Sequence, residues 1–306
     1  MSTMNPVASQ LDSCWITDAD DHLRDDFDQR PFEFEHNLTD HPLLQLPELM
    51  KLADRSITDR PGSIYYDMGD IPVTQRWDEV PERRFSALES MERIETCGAW
   101  FLFKKIQQDP VYKEVLGRGW QEIKARIAPN LDSKILREDA LVFITSPNRI
   151  APYHIDRECS FLLQIRGTKK IYIFDRSDRD VLSEAELERY WTVDHNAPKY
   201  KPHLQDRAIV YTLRPGMGVH IPVNWPHWLQ NDDNVSVSLN VNVQFKDTQR
   251  ANVYRANYLL RRMGMRPSPP GVHPGVDRVK AISMIPVMAT KPMIKSLRDA
   301  TRKKAH

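Results

Sequence analysis

A chain of 306 residues with 41% hydrophobic content can bury a substantial core, and reads as one large domain with helical flanks rather than two independent domains. Its 43 basic and 42 acidic residues leave a formal charge of +1, so no global field draws it to nucleic acid or to an anionic membrane. No apolar run approaches the roughly 20 residues that span a bilayer, the polar start does not read as a signal peptide, and the scattered thiols Cys14, Cys97 and Cys159 fit a reduced, cytoplasmic setting.

In chain order, residues 1–40 are polar and aspartate-rich with little periodicity, which predicts a flexible lead-in or surface arm. HPLLQLPELMKLADRSITD, 41–59, has apolar residues at helical spacing with Pro47 in its first turn. Residues 61–84 alternate Pro, Gly and charge and read as loop. Helical segments follow at about 85–107 and 110–127, the first carrying Trp100, Phe101 and Phe103 as core residues. Together 41–130 form a helical flank. Residues 131–247 are the core: a strand at 141–146, strands near 151–157, 160–166 and 169–174, a helix near 183–190, then strands near 208–213, 218–221, 227–231 and 235–245. Many short strands broken by Gly and Pro turns predict a sandwich or barrel. After it, 251–265 reads as a helix broken by PSPPGVHPG, and a second helix is predicted over about 276–303. Its basic end, KSLRDATRKKAH, suits a solvated helix C-terminus.

The chemistry concentrates in YHIDRECSFLLQIRGTKKIYIFD, 153–175. Side chains alternate across a strand, so His154 and Asp156 share one face. With ten histidines and 42 acidic residues in the chain, about 1.4 such His-x-acid pairs arise by chance, so the pair alone decides little. Its setting adds the weight: a tight turn at Gly167, a returning strand that opens with lysine, and His227 just after the Pro-rich corner of RPGMGVHIPVNWPHWLQ. If His227 reaches the same place, two histidines and one carboxylate can hold Fe(II) on one side and leave coordination positions open.

The runs Ser146–Asp175 and Leu213–Phe245 resemble the cupin-like, JmjC-related family of Fe(II)- and 2-oxoglutarate-dependent dioxygenases, nearest to the branch containing the asparaginyl hydroxylase of hypoxia-inducible factor. The resemblance implies a mainly β fold with flanking α: a double-stranded β-helix, or jelly roll, with N-terminal and C-terminal helices. It implies His154, Asp156 and His227 as iron ligands, and Lys169, not its opposite-facing neighbour Lys170, as the anchor for the far carboxylate of 2-oxoglutarate. It implies Asn240 beside the cosubstrate, with Asn242 as the alternative register. Some members carry threonine where this chain has Ala151, so Thr145 or Ser146 is expected to supply that hydrogen bond. Ser160 stands where several relatives have asparagine.

Around the strand, Tyr153, Arg157, Glu158, His220 and Asn242 are candidate substrate-pocket residues. For Arg157, Glu158 and nearby Arg149 the alternative is surface pairing, for Tyr153 an outer-face position, and for His220 a packed core histidine. Trp225 and Trp228 read as wall packing. The expected activity is hydroxylation of a protein side chain or a small metabolite. A non-catalytic cupin-like binding protein and a metal cupin enzyme without 2-oxoglutarate stay open. Helices after the barrel in related proteins often support dimerisation, which makes 248–306 a candidate homodimer module, the alternative being that these helices fold back onto their own barrel as a lid or buttress.

Overall fold

Eight of the eleven strands among the described residues form a two-layered barrel whose order cannot be read from sequence neighbours. The structure, a computed structural model, describes residues 15–17, 20–79, 81–127, 134–246 and 248–287. The strands are β1 (Phe32–Glu35), β2 (Ile64–Met68), β3 (Ala99–Phe103), β4 (Ile135–Thr145), β5 (Ile150–His154), β6 (Cys159–Arg166), β7 (Lys169–Ile173), β8 (Ile209–Leu213), β9 (Met217–Ile221), β10 (His227–Asn231) and β11 (Ser236–Phe245), and a short helix α1 (Asp20–Asp25) precedes them. A four-stranded sheet runs β5-β10-β7-β8, and a seven-stranded sheet runs β1-β9-β6-β11-β4-β3-β2. Every named pairing is antiparallel. Chain-distant strands therefore become neighbours, as the jelly-roll expectation requires. The turn between β6 and β7 depends on Gly167 at φ 74: a Cβ there would stand 2.0 Å from Asn234 Oδ1 and 2.4 Å from the Val235 carbonyl oxygen, a distance no side chain tolerates.

Both faces of the large sheet are covered, which explains the composition of β11. Its Val237, Leu239, Val241 and Val243 join the main core cluster together with Leu49, Leu52 and Ala53 of α2 (Leu46–Asp59) and Leu116, Trp120 and Ile123 of α4 (Lys113–Ile127). The alternate residues Ser236, Ser238, Asn240 and Asn242 face the other way, into the barrel. There Leu162, Val219 and Ile221 of the large sheet meet Ile171, Ile173 and Leu213 of the small one.

Three sequence expectations are corrected. Residues 15–40 are not a polar lead-in over their described part: β1 extends the large sheet beside β9, and Trp15, Ile16, Leu23, Phe32 and Phe34 are buried. The alternation Phe-Glu-Phe-Glu was hidden among the surrounding charges, and strand pairing revealed it. The helix expected over 85–107 ends early. It spans only α3 (Ala87–Glu92), capped by a reciprocal Ser86–Glu89 box, and Gly98 at φ 65 turns the chain into β3. There Ala99–Phe103 lies between β4 and β2; a short apolar run satisfies either period, and pairing on two edges decided for strand. Residues 64–68 of the supposed loop are β2 at the sheet edge. The other core elements lie within a few residues of their expected places.

The described residues of Met1–Val181 and Tyr200–Phe245 form one compact unit, and those of Leu182–Lys199 and Lys246–His306 a second. The second contains α5 (Glu184–Thr192) and α6 (Thr248–Arg262). Glu188 accepts from Arg261 at 2.7 and 2.8 Å, and Trp191 stacks on Tyr254. A further helix begins at residue 274. The expected course to 303, with its basic end, lies outside the described residues beyond 287, as do Cys14 and most of residues 1–19.

Candidate metal centre

Opposite positions in a ladder bring side chains together whatever their sequence separation. His227 opens β10 and pairs with His154, the last residue of β5, and the two rings lie 4.2 Å apart between centroids. Asp156 follows two residues after β5, and its Oδ2 is 3.7 Å from Nε2 of each histidine. Two donors bonded to one ion at about 2.1 Å can be at most about 4.2 Å apart, so these spacings fit a shared metal. Among the described residues this is the only cluster of three or more such side chains able to hold one.

The histidines are held in the ligand-competent form. His154 Nδ1 lies 2.6 Å from the Pro152 carbonyl oxygen and His227 Nδ1 lies 2.9 Å from that of Trp225. A carbonyl can only accept, so each Nδ1 carries the proton and each Nε2 presents its lone pair toward Asp156. Burial, assisted by His154, pushes His227 down to about 4, which keeps it neutral at physiological pH. His227 is buried and His154 nearly so, whereas the Asp156 side chain is 38% exposed; the centre therefore opens on the carboxylate side.

Lys169 stands on the same inner face, at the other end of the small sheet. Asn231 pairs with Lys169 and His227 with Ile173, so Lys169 lies four residues, roughly 13 Å at 3.3 Å per residue, along the barrel from the metal position. It is 4% exposed, and its ammonium meets no hydrogen-bond or ion-pair partner among the described residues. Burial alone lowers it from 10.5 to about 7. Lys170, by contrast, is exposed. An unpaired buried ammonium is costly, and a bound carboxylate would relieve it. The sign of the resulting pH effect follows from linkage. The unfolded chain binds more protons than the native one between about pH 7 and 10.5, so the ligand-free protein gains stability across that window as pH rises. Urea unfolding at several pH values should show this slope, and the Lys169→Met protein should lack its contribution.

The remaining expected residues divide. Asn240 and Asn242 lie side by side on the barrel face, Asn240 Nδ2 donating to Asn242 Oδ1 at 2.9 Å, and the buried Asn240 Oδ1 has no partner. Ser160 sits opposite Asn242. Thr145 Oγ1 accepts from Asn231 Nδ2 at 2.6 Å. Ser146 is committed elsewhere: its hydroxyl donates to the Ile94 carbonyl and accepts from the Ala99 N–H at 2.7 Å, fastening β3 rather than a ligand. His220 is the core histidine of the two alternatives. It alternates with the inward Val219 and Ile221, packs on Phe27, Phe32 and Phe161, and has both nitrogens used by the Ser160 carbonyl and the Asp28 N–H. Burial drives it down to about 3. Tyr153 lies on the outer face with Phe174 and Tyr200. Trp228 stacks outside on Tyr172, while Trp225 joins the inner wall. Glu158 is bound by Arg137 at 3.1 Å, with its carboxyl raised by burial and then by Asp156. Arg149 forms a buried pair with Asp67. Arg157 is half-buried beside the centre.

Two participants escaped the sequence reading. Asn231 was accessible to it, because 227, 229 and 231 share a face. Trp77 was not: it comes from the 71–79 loop, fastened to β5 by the Tyr153 N–H to the Val73 carbonyl, and sets its ring edge-to-face on His154 at 5.1 Å.

Residues 68–249, more than half of the chain, match the Cupin-like domain family. The chain belongs to that family. Among solved structures, this cupin-like protein is similar to Escherichia coli YcfD, at 16% identity and a TM-score of 0.53 over 91% of this chain and 69% of that one. It is also similar to YcfD described as a ribosomal oxygenase in complex with cobalt and succinic acid, at 18% identity and a TM-score of 0.50 over 91% and 68%. At these identities the likeness establishes the fold. Among curated proteins it is 23% identical to HSPB1-associated protein 1 of Rattus norvegicus over 39% of this chain and 27% of that protein. The mouse protein matches at 26% identity over 39% and 26%. The match thus spans about a quarter of the length of these relatives.

Proposed function

We propose that this cupin-like protein is an Fe(II)- and 2-oxoglutarate-dependent oxygenase, most simply a hydroxylase. The observation that carries the reading is the pairing of two features on one barrel face: the His154, Asp156 and His227 cluster, and a buried Lys169 whose ammonium has no acceptor among the described residues. Iron(II) held by the three side chains, with 2-oxoglutarate beside it, would supply oxygen activation for C–H hydroxylation, releasing succinate and CO2. The chain's own residues do the positioning. His154 and His227 present Nε2 because their Nδ1 protons are tied to backbone. Lys169 binds the far carboxylate, Asn240 offers an unused amide oxygen, and Ile171, Ile173 and Leu213 exclude water from the barrel between them. The Trp77 ring on His154 borders a narrow opening beside β5 that is also lined by Trp100, Ile150 and Pro152, and we take this side as the approach for substrate. The YcfD described as a ribosomal oxygenase favours a protein side chain over a free metabolite. Free thiols at Cys97 and Cys159 support the cytoplasmic reading. Incubation with Fe(II), 2-oxoglutarate and O2 should release succinate in an iron-dependent way. Metal binding without any 2-oxoglutarate binding would instead point to a metal cupin of another kind, and binding of both without turnover to a regulatory protein.

We also propose that the protein is a homodimer through its C-terminal helices. In the helix that begins at 274, Val276, Val279, Ile282 and Ile285 are all exposed, while Ala281 and Met284 are buried. Two apolar faces on one helix call for two partners. Light scattering on the intact chain should give twice the monomer mass, and Val279→Asp with Ile282→Asp should halve it without changing metal binding. A monomeric wild-type protein at micromolar concentration would sink the dimer.

A further inference from the structure

The corner joining β9 to β10 mounts two of the three site residues at once. Its Trp225 carbonyl receives the His227 Nδ1 proton, and its Asn224 N–H donates to the Asp156 carbonyl oxygen at 3.0 Å. Pro222 and Pro226 bracket the corner and have no N–H of their own, so three donors remain between them. Trp225 closes the turn on the Pro222 carbonyl and Asn224 serves Asp156, which leaves the Val223 N–H without an acceptor inside the corner. Asn224 adopts φ 61 and is buried, a left-handed turn position that asparagine accommodates, and the contacts around Val223 fix where that turn sits.

Those contacts come from Asp28, 195 residues before Val223, and from Arg176, 47 residues before it. Asp28 Oδ1 accepts the Val223 N–H at 2.8 Å. Arg176 spans the same two residues, Nη1 donating to the Val223 carbonyl at 2.8 Å and Nη2 to the Asp28 carbonyl at 2.9 Å. The Asp28 N–H is in turn anchored on His220 Nε2 at 3.1 Å. Both backbone polar groups of Val223 are thus gripped, one by a carboxylate and one by a guanidinium.

We propose that Asp28 and Arg176 are positioning residues, a clamp on the 222–226 corner that sets the separation of His227 from Asp156. The proposal rests on the metal-centre reading above. If the clamp is loosened, the Val223 N–H loses its acceptor and the corner is free to move. Any movement carries the Asn224 N–H and the Trp225 carbonyl with it, and so displaces Asp156 and reorients the His227 ring together. Groups that orient metal ligands from outside typically alter metal affinity 10–100-fold, although neither Asp28 nor Arg176 touches the metal position.

The test is titration of the full chain with Co(II), read both as affinity and as the positions of the cobalt d–d absorption bands, with thermal unfolding recorded alongside. Asp28→Ala is expected to weaken Co(II) binding about tenfold and to shift the bands. Asp28→Asn keeps an Oδ1 acceptor and tolerates the φ of 54 found at this position, so it should restore both. Arg176→Lys is one atom shorter and presents its donors from one nitrogen rather than from the two ends of a planar fork, so it should hold the two carbonyls less well and fall between, and it carries the test if Asp28→Ala does not fold. Wild-type Co(II) binding that is lost in His227→Ala but unchanged in affinity and spectrum in Asp28→Ala and Arg176→Lys overturns the clamp alone. Asp28→Asn falling as far as Asp28→Ala also overturns it, because the hydrogen bond would not be the cause. Wild-type binding insensitive to His227→Ala overturns the metal-centre reading and the clamp with it.

Discussion

Alanine at His154, Asp156 or His227 removes one of the three proposed donors, and Fe(II) affinity should fall by at least about 100-fold, the upper end of what even outer contacts cost. The fold should survive. In the ligand-free protein the three side chains hold one another only at 3.7 Å across the carboxylate, and none is the centre of a core cluster. The stability change should therefore stay within about 1 kcal/mol, the ordinary range for a single substitution. Titration with Fe(II) under anaerobic conditions, with circular dichroism on the same samples, checks both halves. Two of the three variants binding iron as the wild type does would refute the ligand set.

The second large effect concerns Lys169, where affinity and stability should move in opposite directions. Lys169→Ala should weaken 2-oxoglutarate binding by about 1.5–3 kcal/mol, the worth of a hydrogen bond to a charged group, or roughly 10–150-fold. Lys170→Ala should leave it unchanged, because that side chain is exposed on the other face. Without ligand, Lys169→Met should raise the unfolding midpoint, since it replaces an unpartnered buried ammonium with an apolar chain of similar length. Such a trade marks a group retained for binding rather than for folding. Binding should also weaken as pH rises above about 7, because the neutral amine must then take up a proton to meet the carboxylate. Calorimetric titration at three pH values reads all of this. Equal effects at the two lysines would place the cosubstrate elsewhere.

Strand alternation and turn chemistry act locally, and what depends on them was legible in the chain. Lys169 opposed to Lys170, the Gly167 turn and most core strands follow from period two and from residues that must or cannot adopt a given φ, whereas β5 ends at His154, so the strand period alone does not place Asp156 beside it. The resemblance added the roles. Less accessible were β2 and β3, because a five-residue apolar run such as Ala99–Phe103 fits a helix or a buried strand equally until its partners are known. Likewise β1 and the buried residues around it were masked by the charges of the first forty positions.

Alternation also says which residues share a face but not which face is inside. In β11 the Val and Leu face packs on the helices and the Ser and Asn face lines the barrel, the reverse of a simple apolar-inward rule, since both sides of this sheet are covered. For the same reason His220 and Tyr153 were undecidable: each lies one residue off the face that matters. What the sequence by itself determined is most of the core strands, and with them a candidate set of donors. Only the tertiary structure decided that His227 meets His154 across a ladder, that Lys169 has no acceptor among the described residues, and that Asp28 reaches Val223, because those are relations between residues up to 195 positions apart. Such relations depend on how the sheets close and leave no local pattern in the chain.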